Sequence, residues 1–127
     1  MIIGIGVDIV EISRIEKACL KESFLKKIFS EKEIEICSKG KDKKNFSSFA
    51  GNFAVKEAVS KLFGTGVRDF RMKDIEVLRN ELGMPYVVLY NNAKNISDKM
   101  NIKNIFVSIS HNLECAVGFA VAEGGIV

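Results

Sequence analysis

The sequence predicts an α+β domain, on three observations. Helix-start signatures and helical spacing crowd into the first half of the 127 residues, and alternating, strand-like segments crowd into the second. No repeat, linker or low-complexity tract divides them, so residues 1–127 read as one domain of helices packed on a mainly antiparallel sheet. A chain of this length buries roughly two-thirds of its unfolded surface. With 47% apolar and 28% charged residues it needs neither a metal staple nor a disulfide framework to fold.

The elements follow in order. From Ile3 to Asp8 the residues alternate, with Ile3, Ile5 and Val7 on one face and Gly4, Gly6 and Asp8 on the other, which is the period of a strand. The two glycines let another element come close to that second face, and the position after them presents a carboxylate. Ser13-Arg14-Ile15-Glu16 and Ser30-Glu31-Lys32-Glu33 both match the S-x-x-E capping box, which predicts two short helices. Gly40 suits the stop of the second, and KGKDKKN (39–45) reads as a solvated basic loop. A longer helix is expected from about Phe46 to Phe63. Asp74–Leu78 and Tyr86–Tyr90 flank the turn residues Leu82-Gly83-Met84-Pro85 and predict a hairpin. NNAKNISDKM suits a short helix. Ile105–Ser110 and Cys115–Val121 alternate as strands, and the four residues between them predict antiparallel pairing.

Composition excludes several classes of function. Cys19, Cys37 and Cys115 are odd in number and lack C-x-x-C spacing, so they read as small apolar residues in a reducing compartment. MIIGIGVDIV has no basic region and reaches Asp8 too early for a signal peptide. No apolar run approaches the roughly 18 residues of a membrane helix, so a cytoplasmic protein is expected. The net charge of +3 permits an anionic partner without specifying one.

Chemistry concentrates at few positions. Ala54, Glu57, Ala58 and Lys61 follow i, i+3, i+4, i+7 spacing and share a helix face that the alanines keep low, while Lys56 falls off it. An exposed Glu57–Lys61 pair is the plain reading of that spacing. Taken with Asp8, the same residues suit magnesium on a diphosphate, since magnesium takes one or two carboxylates together with waters and phosphate oxygens. Gly64-Thr65-Gly66 offers backbone N–H groups to an anion, although a helix stop accounts equally for Gly64. His111, the only histidine, follows Ser110 at a strand end, a common place for a functional group and also for a surface turn residue. Arg14, Lys17 and Lys21 at i, i+3 and i+7 form a basic stripe on the first helix, opposite Ile12, Ile15 and Cys19.

GIGVDIVEISRI (4–15), AGNFAVKEAVSKLFGTG (50–66), DIEVLRNELGMPYV (74–87) and SISHN (108–112) occur in an order and spacing that resembles the holo-acyl-carrier-protein synthases, small phosphopantetheinyl transferases, over almost the whole chain. The resemblance implies transfer of 4′-phosphopantetheine from coenzyme A to a serine of apo-acyl carrier protein in support of fatty acid biosynthesis, with release of adenosine 3′,5′-bisphosphate. It implies a homotrimer with active sites at subunit boundaries. Asp8 and Glu57 match magnesium ligands and, with Lys61, the catalytic set. Lys61, Ser110 and His111 match the coenzyme A region, and Gly64, Thr65 and Gly66 a loop beside the nucleotide. The first helix, with Arg14, Lys17 and Lys21, matches the docking surface for the acidic carrier. The resemblance leaves the acceptor of the serine proton open. Lys61 is expected to matter more for coenzyme A than Lys56. One position departs: the family commonly has arginine where this chain has Asn52, so Asn52 is not expected to carry a phosphate contact, and Lys43 and Lys44 are the candidate substitutes.

An RNA-binding module is the reading from another class, since IFVSIS and CAVGFAVAE superficially resemble the aromatic strands of an RNA-recognition domain. Those strands are adjacent here rather than separated, and the second lacks the aromatic and basic residues that stack bases. A nucleotide hydrolase would use the same carboxylates, but no G-x-x-x-x-G-K-[ST] loop occurs. Neither nucleic acid nor membrane is expected as a partner.

Overall fold

Strand β1 (Ile2–Glu11) runs directly into helix α1 (Ile12–Cys19), and two further short helices follow, α2 (Glu22–Ile28) and α3 (Glu31–Cys37). The long helix α4 (Phe46–Phe63) comes next, then the hairpin β2 (Ile75–Arg79) and β3 (Pro85–Leu89), helix α5 (Asn91–Lys99), and the strands β4 (Ile102–His111) and β5 (Cys115–Gly124). The computed structural model of the chain describes residues 1–38, 44–64 and 69–125. Gly40 and the loop residues 39–43 lie outside them. Among the described residues, no helix is long and apolar enough to cross a membrane.

The strands form an antiparallel sheet in the order β1-β5-β4 and a separate β2-β3 ribbon. The expected hairpin and the expected β4–β5 pairing are both present. Asn80 closes the hairpin turn: its Oδ1 accepts from the N–H groups of Leu82 and Met84, each at 2.9 Å, and Gly83 takes the positive φ of 83° that the turn requires.

Helix α4 has the predicted bounds. Asn45 Oδ1 accepts from Ser48 N–H at 3.1 Å at its start, and Gly64, with φ 77°, ends it in the left-handed region. The helix divides the interior. On one side Val55, Val59 and Phe63 pack against Ile75, Val77 and Ala120. On the other, Phe49 and Ala54 pack with Phe29, Cys19 and Cys37 beneath α1–α3. Burial pushes the Cys19 thiol up to about 11 and the Cys37 thiol to about 12, as expected of unreactive core sulfur.

Two expectations for the first half need correction. The Ser30–Glu33 capping box is formed, with both reciprocal hydrogen bonds, but Ser13 caps nothing. Helix α1 starts two residues earlier than a Ser13 cap would place it, at Ile12, whose N–H donates to the Glu114 carbonyl at 2.8 Å, so a contact with the β4–β5 turn takes the place of a side-chain cap. Three short helices stand where two were expected, because Lys21 turns extended (φ −93°, ψ 117°) and separates α1 from α2.

The outer face of the sheet is unusual. Ile5, Val7 and Ile9 on β1 are 62, 52 and 65% exposed, and Phe106 and Phe119 beside them are 57 and 41% exposed. Alternation correctly identified β1 as a strand, yet the side that packs inward is the glycine side.

Candidate active site

Close approach of backbone to backbone builds the site. A Cβ on Gly6 would lie 1.8 Å from the Ala58 carbonyl oxygen, and one on Gly118 would lie 2.4 Å from Ala54 C and Val55 N. Only glycine allows α4 to lie this flat on β1 and β5, with the fully buried Ala54 and Ala58 at the seam. Asp8, opposite Gly118 in the sheet, thereby meets Glu57, one turn along α4 from Ala54.

Three side chains meet there. Lys61 Nζ lies 3.2 Å from Asp8 Oδ1 and donates to the Val7 carbonyl at 3.0 Å, so the lysine reaches back to β1. The helix-surface reading, in which Lys61 pairs with Glu57, is therefore not the one observed. Glu57 is half-buried. Burial raises its carboxyl above the usual carboxylate range, the Asp8 charge raises it further, and Lys61 partly opposes both. Two facing carboxylates whose repulsion disfavours joint ionisation suit a hard divalent cation. Among the described residues, no group of three or more histidine, cysteine or carboxylate side chains could hold a metal, so this donor pair does not suit structural zinc. It fits magnesium, completed by waters and phosphate oxygens. Gly64 follows immediately, while Thr65 and Gly66 lie outside the described residues.

Ser110 and His111 stand elsewhere. They end β4, paired with Val117 and Ala116, and β5 separates them from β1. His111 lines a cavity of about 230 Å³ with Ser47, Ser48, Arg79 and Pro85, at the N-terminal end of α4 and beside the hairpin turn. Within one chain the two groups of predicted residues thus occupy different flanks of α4.

Arg79 is the residue that sequence reasoning missed. Its Nη2 donates to Asn52 Oδ1 at 2.7 Å. Asn52 is fully buried, and its Nδ2 donates to Glu33 Oε2 and to the Val77 carbonyl, each at 3.1 Å. A clue was available: an asparagine on an otherwise apolar stretch of α4 needs a buried partner. Asn52 itself faces inward, among Glu33, Val77 and Arg79. Lys44 is exposed just before the α4 N-cap, and Lys43 lies outside the described residues.

Lys56 has a structural role that the sequence did not indicate. It is fully buried, 2.7 Å from Glu33 Oε1, and donates to the Met72 and Ile75 carbonyls. Burial lowers its pKa and raises that of Glu33, and each charge partly restores the other. It lies off the Glu57–Lys61 face, as the spacing indicated, but serves as a core cation joining α3, α4 and β2.

Arg14, Lys17 and Lys21 are all exposed, with Ile15 and Cys19 buried on the opposite side of α1. Lys21 lies beyond the end of α1, so the stripe continues across a helix junction.

Comparisons with known proteins bear on the family and the fold. Residues 4–117 match the 4′-phosphopantetheinyl transferase superfamily. The holo-[acyl-carrier-protein] synthase of Clostridium perfringens is 50% identical over 131 aligned residues, covering 98% of this chain and 96% of that protein. The crystal structure of the Helicobacter pylori holo-[acyl-carrier-protein] synthase in complex with coenzyme A is 36% identical, with a TM-score of 0.80 over 94% of this chain and 99% of that one. The Bacillus anthracis synthase in complex with CoA (3′,5′-ADP) is 35% identical, with a TM-score of 0.80 over 98% and 99%. A half-identical relative aligned end to end, and a shared α+β fold, have one meaning: the chain belongs to the 4′-phosphopantetheinyl transferase superfamily and, within it, to the holo-[acyl-carrier-protein] synthases.

Proposed function

We propose that this chain, as one transferase domain, moves 4′-phosphopantetheine from coenzyme A to a serine of apo-acyl carrier protein, releases adenosine 3′,5′-bisphosphate, and serves fatty acid biosynthesis in the cytoplasm. The observation that carries the reading is the Asp8–Glu57 carboxylate pair with Lys61 on a chain half identical to a holo-[acyl-carrier-protein] synthase. The serine oxygen bonds to the phosphorus that bears pantetheine, the diphosphate P–O bond breaks, and the bisphosphate leaves with the electron pair while the serine proton departs. Asp8 and Glu57 hold magnesium, which when bound polarises the diphosphate as a Lewis acid. Lys61 places an ammonium beside the leaving phosphate, where negative charge grows. The Gly6 and Gly118 contacts hold strand and helix rigid, so the reactants meet in a fixed geometry.

The working unit in this reading is a homotrimer. Support comes from the apolar side chains that Ile5, Val7, Ile9, Phe106 and Phe119 expose on one sheet face, the kind of surface that marks an interface, and from the separation of His111 and Ser110 from Asp8. A neighbouring copy brings its His111 and Ser110 to the nucleotide of a coenzyme A whose diphosphate lies at Asp8 and Glu57. The carrier docks on Arg14, Lys17 and Lys21. Replacing Arg14 and Lys21 together by glutamate raises the carrier KM about tenfold or more at low ionic strength, if each contact contributes on the order of 1 kcal/mol. Coenzyme A affinity stays unchanged. An unaltered carrier KM would move docking elsewhere, with Lys26 and Lys27 of α2 next.

Incubation with coenzyme A, magnesium and apo-carrier, read by intact mass, tests the activity. Addition of one phosphopantetheine to the carrier, lost in Asp8→Ala, is the expected result. RNA binding with no added mass would favour the RNA module instead.

A further inference from the structure

Arg79 is a half-buried cation held in place from behind. No carboxylate of the described residues lies within ion-pair distance of it. Its guanidinium instead spends one N–H on Asn52 Oδ1 at 2.7 Å and a longer contact of 3.4 Å on the Leu78 carbonyl. Asn52 cannot turn away, because its amide nitrogen is bound to Glu33 Oε2 and the Val77 carbonyl, and Glu33 is anchored by Lys56 and by the Ser30 cap. All three supporting side chains, Glu33, Asn52 and Lys56, are fully buried. A flexible surface arginine would need none of this.

What the support orients is a fork of N–H donors at the cavity wall shared with His111 and the Ser47 and Ser48 hydroxyls. A half-buried guanidinium without a carboxylate partner is costly unless an anion completes it, and its planar fork matches phosphate oxygens. Pro85 and Ile109 add apolar lining.

We infer that Arg79 binds a phosphate of coenzyme A in the His111 cavity, and that Asn52 and Glu33 are its positioning residues. The inference rests on the proposed transferase reading and adds residues to it. The lysine-rich loop is then not needed to compensate for Asn52: the asparagine carries the arginine on a side chain that arrives from β2.

Calorimetric titration of the full-length protein with adenosine 3′,5′-bisphosphate and with coenzyme A tests this. Arg79→Ala weakens both by about tenfold or more, the scale of a charge-assisted pair, and leaves the melting temperature near wild type. Arg79→Lys recovers part of the loss, because charge returns without the fork. Asn52→Ala raises the KM for coenzyme A and leaves kcat, and in an Arg79→Ala background it adds no further loss of affinity, since it acts through the arginine. If Asn52→Ala does not fold, the two Arg79 variants still decide. Repeating the titration with 3′-dephospho-coenzyme A separates the sources: a loss that disappears assigns the ribose phosphate, and a loss that persists assigns the diphosphate. Wild-type affinity for both ligands in Arg79→Ala overturns the inference and leaves the transferase reading standing. Wild-type protein that binds neither ligand and modifies no carrier overturns both.

Discussion

Glu57 carries a conflict that can be measured. Burial and the neighbouring Asp8 charge raise its carboxyl above the unfolded value, so the native state holds that proton more tightly than the unfolded chain does. Ionising it therefore lowers stability as pH rises through the carboxylate range. Below roughly pH 4 both states hold the proton and the penalty vanishes. Glu57→Gln should accordingly raise the melting temperature of metal-free protein near pH 7, with a gain that shrinks to nothing on acidification, while transfer is abolished. An unchanged melting temperature at pH 7 would mean that Asp8 and burial do not strain this carboxylate. The lysines make the complementary contrast. Lys61 is 56% exposed and its pair with Asp8 is worth little to folding, so Lys61→Ala should melt near wild type and bind coenzyme A more weakly. Lys56→Ala leaves the buried Glu33 charge unpaired and should cost about 3–5 kcal/mol of stability, read by denaturant titration. Equal stability in the two variants would contradict the burial assigned to Lys56.

At the scale of elements, the seam between β1 and α4 decides whether a site exists. A Cβ at Gly6 would overlap the Ala58 carbonyl oxygen at 1.8 Å, whereas one at Gly4 lies 3.3 Å from both the Leu62 side chain and the Leu62 carbonyl oxygen, which a shift of a few tenths of an ångström relieves. Gly6→Ala should therefore destabilise by about 1–3 kcal/mol or more and lift α4 from the strand, so transfer falls with stability. Gly4→Ala should be milder on both counts. Comparable turnover in the two variants, measured well below their melting temperatures, would show that the seam tolerates movement. The glycine spacing was legible in the sequence as permission for close approach. Which element would come close was not, because the contact joins residues 6 and 58 and no local period links them.

For the whole molecule, the proposed trimer rests on the exposed apolar sheet face. Phe119 lies opposite Val7 in the register, with Phe106 nearby. A charge there meets water in a lone chain and an apolar partner in a trimer. Phe119→Glu should leave helix and strand content intact by circular dichroism, reduce the mass in light scattering to that of one chain, and abolish transfer, because His111 would no longer meet a neighbour's Asp8. A monomeric wild-type protein, or a variant of unchanged assembly, would remove this face from any interface.

What the sequence determined by itself was most of what depends on neighbours in the chain, the Ser13 box and the break at Lys21 excepted. The Ser30 box, the bounds of α4 from Asn45 to Gly64, the β2–β3 turn and the antiparallel β4–β5 pair follow from capping, turn chemistry and period, all local rules. Asp8, Glu57 and Lys61 were identifiable as candidates because helical spacing puts two of them on one face and the glycines mark the third. Only the tertiary structure could decide that Ser13 is no cap, that Lys56 is a core ion, that His111 and Asp8 lie on different flanks of α4, and that Arg79 is borne by Asn52. Each of these depends on burial or on contacts between residues 19 to 102 positions apart, where the packing of two elements, and no property of either segment alone, sets the free energy of a charge or a hydrogen bond.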